Sequence, residues 1–331
     1  LKKKLAKDKK IDLTVVGPEV PLSMGIVDQF EKEGLKIFGP KRESAILESS
    51  KSFAKEFMRK NNIPTAEYEI FYNKEDAVKY IKQKEPPIVI KADGLAAGKG
   101  VIIAKTLEDA IRTIEDILSN KIFGTAGSKI VIEEHIEGEE ATFLAFVDGK
   151  SFIPMVSSQD HKRVFDNDEG PNTGGMGTYS PAPVLKKDLE SVIIDKILKP
   201  TISGMNSLGK KYKGVLYIGL MITKNGPKVI EYNCRFGDPE TQVVLPRLKS
   251  DLVDIFMSTV EEKLCEIIAE WNENPAVCVV LASGGYPGKY ENGKEIKGLD
   301  EAKKLKDVFV FHAGTIKKDS KVLTHGGRVL G

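Results

Sequence analysis

The chain has few of the residues that mark secreted, disulfide-rich or membrane-spanning proteins. Its 331 residues include three cysteines and one tryptophan. Cys234, Cys265 and Cys278 are odd in number and have no CxxC spacing, so no zinc site follows from them, and we expect reduced thiols in a cytoplasmic setting. No apolar run is long enough for a membrane span, and no signal-peptide pattern is present. We therefore expect no membrane partner.

The chain also lacks an excess of positive or of negative charge. Charged residues make up 30% of the chain, but the formal net charge is +2. This balance excludes a strongly basic nucleic-acid-binding class and a disordered charged tail. A chain of this length suits two or three domains, each with its own core.

What the chain does contain is a glycine-rich loop that opens at the end of an apolar, strand-like run. The run ends in Lys91, and the loop carries Gly94, Gly98, Lys99 and Gly100. Glycines let backbone N–H groups close around phosphate oxygens, and the lysines supply positive charge. The spacing differs from a Walker A loop, and a β-branched run follows, so we predict a flap that joins two strands. The alternative is a tight hairpin with incidental surface lysines.

A second candidate site lies in a predicted hairpin of residues 214–223 and 228–233. Its second strand places Glu231 and Asn233 two residues apart, and therefore on one face. A carboxylate and an amide oxygen on one face suit Mg²⁺. The Asn-Gly pair at 225–226 predicts a type I′ turn. The alternative is that the two side chains form the solvent side of an edge strand.

Two further regions are more polar than a core requires. Residues 130–140 form a predicted strand that runs into an acidic linker, which could bind an adenine edge and ribose hydroxyls or be a solvated turn. Residues 157–163 and 170–177 are predicted to be long functional loops, because they are too rich in glycine and polar residues for a core. For His161 we expect substrate contact or solvation in preference to proton transfer.

Several runs, in order along the chain, resemble the phosphoribosylamine:glycine ligase family of the ATP-grasp superfamily. They are residues 16–22, 90–100, 159–163, 170–177, 233–242, 284–288 and 326–330. The resemblance covers essentially the whole chain. The strand and glycine-rich turn that begin the family's usual chain have no counterpart, and the family continues beyond residue 331. We therefore expect an internal fragment that lacks both ends.

The resemblance implies an α+β and α/β architecture with the ATP-grasp fold, in which two α+β subdomains enclose ATP. Residues 1–40 would be the remnant of an N-terminal open α/β substrate domain. The ATP-grasp domain would span 41–265, with the flap subdomain in 41–136 and the metal-hairpin subdomain in 137–265. Residues 266–331 would be part of a small β-rich C-terminal domain. A helix over 23–33 and a strand over 308–312 are predicted within these domains.

The implied activity is the ATP-dependent joining of glycine to 5-phosphoribosylamine through glycyl phosphate, in purine biosynthesis. ATP and Mg²⁺, with Mn²⁺ as an alternative ion, would be the cofactors of a cytoplasmic monomer or weak dimer. The alternatives are another ATP-grasp carboxylate–amine ligase, or an ATP-binding fragment without turnover.

The resemblance also implies roles for individual residues. The residues implied to bind ATP are Lys51, Lys91, Gly94, Gly98, Lys99, Gly100, Glu133, Glu134, Ile136 and Glu140. The implied metal ligands are Glu231 and Asn233, and the implied catalytic residues are Arg235, Asp160 and Arg163. The residues implied to bind substrate are Gly17, Pro18, Glu19, Asn172, Thr173, Gly174, Gly175 and Asp238. Residues 218–220, on the first hairpin strand, lack the second carboxylate that many ATP-grasp proteins place there.

Overall fold

A computed structural model describes residues 2–96 and 99–331 of the chain. The described chain divides into two compact units. Unit 1 contains the chain up to Met155 together with Pro183–Phe236 and Ser250–Glu270. Unit 2 contains Val156–Ala182, Gly237–Lys249 and Trp271–Gly331. The division at residues 40 and 265 expected from the sequence stays a prediction.

The α-helices are short, and none in the described residues is long and apolar enough to cross a membrane. They are α1 (Lys2–Asp8), α2 (Glu19–Ser23), α3 (Ile26–Glu31), α4 (Ile46–Ser49), α5 (Lys51–Lys60), α6 (Lys74–Ile81), α7 (Leu107–Ile114), α8 (Lys187–Ile193), α9 (Lys199–Ser207), α10 (Thr241–Val244), α11 (Leu252–Val260) and α12 (Leu299–Ala302).

The strands alternate with these helices along the chain. They are β1 (Thr14–Val15), β2 (Ile37–Phe38), β3 (Tyr68–Phe71), β4 (Ile88–Ala92), β5 (Val101–Ala104), β6 (Ile130–Glu134), β7 (Glu139–Val147), β8 (Phe152–Pro154), β9 (Gln159–Phe165), β10 (Glu169–Ser180), β11 (Gly214–Thr223), β12 (Gly226–Asn233), β13 (Ala276–Val279), β14 (Leu281–Ala282), β15 (Thr315–Lys318), β16 (Lys321–Thr324) and β17 (Arg328–Leu330).

Unit 1 begins with a parallel pair of strands, β1 and β2, linked by helices. The single helix predicted over 23–33 is wrong in its start and its continuity. Helix α2 begins at Glu19, and Gly25, with a φ of 80°, separates it from α3. A left-handed residue cannot continue a right-handed helix, so the chain makes two short helices here.

A second sheet of unit 1 has the strand order β3-β6-β4-β5, with every neighbouring pair antiparallel. Helices α6 and α7 cover one of its faces, and Ile81, Ile90, Ile114 and Ile132 are buried there. Both helices begin at side-chain caps. Asn73 accepts a hydrogen bond from the backbone N–H three residues later in α6, and the equivalent cap precedes α7.

A third sheet of unit 1 has the order β12-β11-β7-β8. Its central strands β11 and β7 are buried along most of their length, as expected for strands covered on both faces. Phe143 and Leu216 of these strands pack in one core with Leu22, Phe30 and Phe57 of the preceding helices. This core anchors α5, which begins with the predicted phosphate residue Lys51, and the hairpin of β11 and β12, which carries the predicted metal residues.

Unit 2 contains a sheet with the order β13-β10-β9. The prediction of long loops at residues 157–163 and 170–177 is wrong, because most of these residues form the antiparallel strands β9 and β10. The register shifts twice along the pair, as at β-bulges. Polar side chains do not prevent pairing, since the ladder uses backbone groups. The strand predicted over 308–312 is also wrong, because that segment makes only an isolated bridge from His312 to Leu330.

Candidate functional site

The glycine-rich loop joins two paired strands, as predicted. Strand β4 pairs antiparallel with β5, and the Ala92 N–H donates to the Gly100 carbonyl at 2.8 Å where the loop closes. Gly98 lies outside the described residues, and Lys99 is exposed. A Cβ at Gly94 would lie 2.8 Å from the Ala126 Cα, and one at Gly100 would lie 2.7 Å from another loop side chain. Glycine is required at both positions by close packing.

The first predicted phosphate lysine, Lys51, begins helix α5 beside the start of the flap. Its Nζ donates to the Gly94 carbonyl at 3.1 Å, and burial lowers its pKa. The buried Asp93 carboxylate accepts from the Ser52 N–H at 2.7 Å and from the hydroxyl of Ser50, the N-cap of the helix. These bonds attach the helix start to the flap.

The second predicted phosphate lysine, Lys91, belongs to a buried network that spans two sheets. Its Nζ lies 2.9 Å from Glu133 Oε1 on β6 and donates to the Ile230 carbonyl on β12 at 2.9 Å. The other carboxylate oxygen of Glu133 lies 2.9 Å from Lys55 Nζ. The sequence interpretation missed Lys55. Its place four residues after Lys51, on the apolar side of α5, was the available signal.

The predicted metal hairpin is formed by β11 and β12, and Glu231 lies opposite Gly219. A bulge at this point places both Ile230 and Glu231 in half-buried positions, whereas neighbouring residues alternate. A Cβ at Gly219 would lie 3.0 Å from Glu231 Cγ, so the carboxylate side chain occupies the space above this glycine. Asn233 lies opposite Tyr217. The described residues contain no group of three or more His, Cys, Asp or Glu side chains arranged to hold a metal.

The turn of this hairpin differs from the prediction. Of the Asn-Gly pair at 225–226, only Gly226 has a left-handed conformation, with a φ of 104°. Gly226 already pairs with Thr223, so the turn residues are Lys224 and Asn225. The hairpin was predicted correctly, but the type I′ turn was wrong.

Beyond the hairpin, Arg235 is held between two carboxylates from the start of the chain. Its Nε donates to Glu19 at 3.0 Å, and its Nη2 lies 3.4 Å from Glu48. Glu48 also accepts from the Cys234 N–H at 2.7 Å, and burial raises its pKa to about 7. Gly17 and Pro18 immediately precede helix α2, which begins with Glu19. The structure therefore brings the predicted N-terminal substrate turn to the predicted catalytic arginine.

The segment predicted to bind adenine begins on β6 at Glu133, the residue that contacts Lys91 and Lys55. A cavity of about 350 Å³ is lined in part by Ile132, Glu133, Glu134 and His135. Glu134 lies 3.0 Å from the Lys228 ammonium. Beyond the strand, Ile136 is half-buried. Glu140 lies on β7, paired with Met221.

The remaining predicted residues belong to unit 2. Asp160 and Arg163 lie on β9, and Arg163 pairs with Asn172 on β10. The Thr173 hydroxyl donates to a backbone carbonyl of β9, and the Gly175 N–H donates to that hydroxyl.

A residue that the sequence interpretation did not assign, Arg328, organises this part of unit 2. Its guanidinium donates to the Gly174 carbonyl at 2.7 Å and to the Asp238 carboxylate at 2.9 Å. The only sequence signal for a role of Arg328 was its place in residues 326–330, one of the runs that resemble the family.

Models of one protein family match along the chain. They are the N domain of phosphoribosylglycinamide synthetase over residues 2–48, its ATP-grasp (A) domain over 49–241 and its C domain over 276–331.

Relatives that are similar along nearly the whole of this chain are named phosphoribosylamine–glycine ligases. A phosphoribosylamine–glycine ligase of Escherichia coli O157:H7 is 55% identical over 327 residues, which are 98% of this chain and 76% of the relative. The crystal structure of a phosphoribosylamine–glycine ligase from Thermotoga maritima has a TM-score of 0.82 at 38% identity, covering 92% of this chain and 75% of that one.

A more distant likeness concerns the fold alone. The biotin carboxylase domain of 2-oxoglutarate carboxylase from Hydrogenobacter thermophilus, solved with MgADP, has a TM-score of 0.72 at 18% identity. It covers 98% of this chain and 72% of that chain.

Proposed function

We infer the reaction from family membership: the chain belongs to the phosphoribosylglycinamide synthetase family and has the ATP-grasp fold. It is an ATP-dependent ligase that joins glycine to 5-phosphoribosylamine in purine biosynthesis. The products are glycinamide ribonucleotide, ADP and phosphate. The sequence resemblance to this family is confirmed by the family models and by the relatives that cover nearly the whole chain.

One observation of the structure supports this function most directly. The Lys91 ammonium donates to the Ile230 carbonyl at 2.9 Å, next to Glu231. The lysine proposed to bind phosphate therefore contacts the strand that carries the carboxylate proposed to bind metal. A nucleotide triphosphate needs both, because its charge is neutralised by cationic side chains and a metal ion together.

For ATP we propose a site on unit 1. Lys51 and Lys91 would contact the phosphates, and the flap residues Gly94, Gly98, Lys99 and Gly100 would cover them. The end of β6 and the following linker would bind the nucleoside, through Glu133, Glu134, Ile136 and Glu140. The flap excludes water from the reacting groups, which protects an acyl phosphate from hydrolysis.

For the metal we propose Glu231 and Asn233. One carboxylate and one amide oxygen are too few to enclose an ion, and this fits Mg²⁺, which keeps waters and takes its remaining ligands from phosphates. Mn²⁺ has a similar preference for oxygen ligands. When bound, the ion would neutralise charge on the phosphates. Because Gly219 has no side chain, the Glu231 side chain has space above it, and this feature of the hairpin fits Glu231 as a metal ligand.

For the substrates we propose residues on each unit taken by itself. Arg235, held by Glu19, would neutralise charge on the reacting groups, and Gly17, Pro18 and Glu19 would lie near phosphoribosylamine. Asp160 and Arg163 would act near glycine and the growing product. The substrate-binding residues on unit 2 would be Asn172, Thr173, Gly174, Gly175 and Asp238.

The chemistry needs no nucleophilic side chain. A carboxylate oxygen of glycine attacks the γ-phosphorus of ATP and displaces ADP, giving glycyl phosphate. The amine of phosphoribosylamine then attacks the carbonyl carbon, loses a proton, and expels phosphate. The chain contributes by holding the reactants in line and by neutralising charge with Lys51, Lys91 and Arg235.

The test is product formation by this chain. MgATP and glycine are supplied with and without freshly generated phosphoribosylamine, and products are followed by mass. We expect glycinamide ribonucleotide only in the complete mixture. ADP formed equally well with another amino acid or amine would favour a different carboxylate–amine ligase, and binding of MgATP without ADP release would favour a fragment without turnover.

We further propose a cytoplasmic monomer or weak dimer. Cys234, Cys265 and Cys278 are all free thiols, and free thiols fit a reducing compartment. Gel filtration with light scattering measures the oligomeric state directly.

A further inference from the structure

Lys55 is a charged side chain enclosed by protein groups, and it has no part in the reaction described above. It is 2% exposed. Its Nζ donates to the Thr65 hydroxyl at 2.7 Å, lies 2.9 Å from Glu133 Oε2 and lies 5.5 Å from the centre of the Tyr68 ring. A carboxylate, a hydroxyl and an aromatic face thus surround the ammonium. Burying a charged lysine is unfavourable, so the presence of this charge in the interior needs an explanation.

The geometry links Lys55 to the phosphate lysine through one carboxylate. Glu133 is 4% exposed, and each of its two oxygens lies 2.9 Å from one lysine: Oε2 from Lys55, and Oε1 from Lys91. A carboxylate with one partner can rotate, whereas a carboxylate held on both oxygens presents Oε1 in a single orientation. Lys91 is then held by an ion pair with Glu133 and by a hydrogen bond to the Ile230 carbonyl.

Charge gives Lys55 a second effect on Lys91. The two lysines and Glu133 together carry one net positive charge. Without Lys55, the carboxylate would neutralise Lys91 completely, and the buried group would have no net charge to attract a polyphosphate. Because buried side chains lie in a low-dielectric environment, loss of the Lys55 charge has a large effect on anion binding.

We propose that Lys55 is a positioning residue for the nucleotide site, which holds Glu133 so that Lys91 keeps its orientation and its charge for a nucleoside polyphosphate. The proposal rests on the proposed function, in which Lys91 contacts the phosphates of ATP. Lys55 itself touches neither nucleotide nor substrate.

The first test is the affinity for MgADP, measured by isothermal titration calorimetry on the whole chain. Lys55→Met keeps the length of the side chain and removes its charge, and we expect about a tenfold loss of affinity. Lys55→Arg keeps the charge, and we expect affinity within about threefold of wild type. The matched control is Lys60→Met, which removes an exposed lysine from the same helix and should leave affinity unchanged.

A pH profile separates positioning from a merely structural role. Burial lowers the pKa of Lys55 to about 8. The other charged or titratable groups around it are Glu133, Lys91, Glu134, Arg59 and Tyr68. All of them remain in Lys55→Arg, whose guanidinium stays charged. We therefore expect MgADP affinity to fall more steeply between pH 7 and pH 9 in wild type than in Lys55→Arg.

The outcomes are distinguishable. Equal MgADP affinities of wild type and Lys55→Met would overturn the positioning role while leaving the ATP site intact. An equal loss in Lys55→Arg and Lys55→Met, or parallel pH profiles, would overturn it as well. A wild-type chain that does not bind MgADP would refute the proposed function and this inference together. If Lys55→Met lacks the wild-type circular dichroism spectrum, Lys55→Gln replaces it in the same comparison.

Discussion

Glu48 should make the stability of the protein fall as pH rises. This carboxyl is 8% exposed, and burial is the main reason that its pKa is raised from 4.5 to about 7. The folded state therefore binds a proton between these two pH values that the unfolded chain releases. The stabilisation is fully present below pH 4.5 and is lost as pH rises through 7. At 1.36 kcal/mol per pH unit, the loss is about 3 kcal/mol.

The variant Glu48→Gln removes this titration and keeps a carbonyl oxygen to accept from the Cys234 N–H. The free energy of unfolding is measured by urea titration with circular dichroism at several pH values between about 4.5 and 8. Wild type should lose about 3 kcal/mol more than the variant across this range. Parallel curves for the two proteins would refute the raised pKa and the account of the buried carboxyl beside Arg235.

Three further changes have defined outcomes. Glu231→Gln should lower ADP release at least about a hundredfold with an unchanged circular dichroism spectrum, because it removes the proposed metal carboxylate. Gly94→Ala should destabilise the chain by about 1–3 kcal/mol in urea titrations, because the new Cβ would lie 2.8 Å from the Ala126 Cα. Hydrogen bonds from surface lysines lower the pKa of Glu262 to about 2, so Glu262→Gln should destabilise by about 1 kcal/mol at pH 7, and the difference should vanish as pH falls from 4.5 towards 2.

Each of these has a result that would contradict it. Unchanged turnover in Glu231→Gln would remove that residue from the metal site. Wild-type stability of Gly94→Ala would mean that the flap start adjusts without strain. A Glu262→Gln difference that persists at pH 2 would show that packing, and not charge, holds that side chain.

Features set by neighbouring residues could be predicted from the sequence. The flap between β4 and β5 follows from two apolar runs separated by glycines, and the hairpin of β11 and β12 follows from its Asn-Gly signal. The placement of Glu231 and Asn233 on one strand required only the two-residue period of a β-strand. The turn type was wrong, since the register placed Gly226 in the strand.

Features set by distant contacts could not be predicted. In the sequence, Lys55 is one of several lysines in a predicted helix, and only the fold places Glu133 beside it. Likewise, only the fold places Arg235, which follows β12, beside Glu48. Strands β9 and β10 were missed because their polar, glycine-rich composition is typical of loops, whereas backbone pairing across the bulges decides their structure.

In the proposed mechanism, glycine is activated by transfer of the γ-phosphate of ATP to its carboxylate. The direct test uses glycine labelled with ¹⁸O in both carboxylate oxygens, in the complete mixture with MgATP and phosphoribosylamine. We expect one ¹⁸O atom in each phosphate released, because the oxygen that attacks phosphorus leaves with it when the amide forms. Phosphate without ¹⁸O, formed together with glycinamide ribonucleotide, would rule out glycyl phosphate as the intermediate.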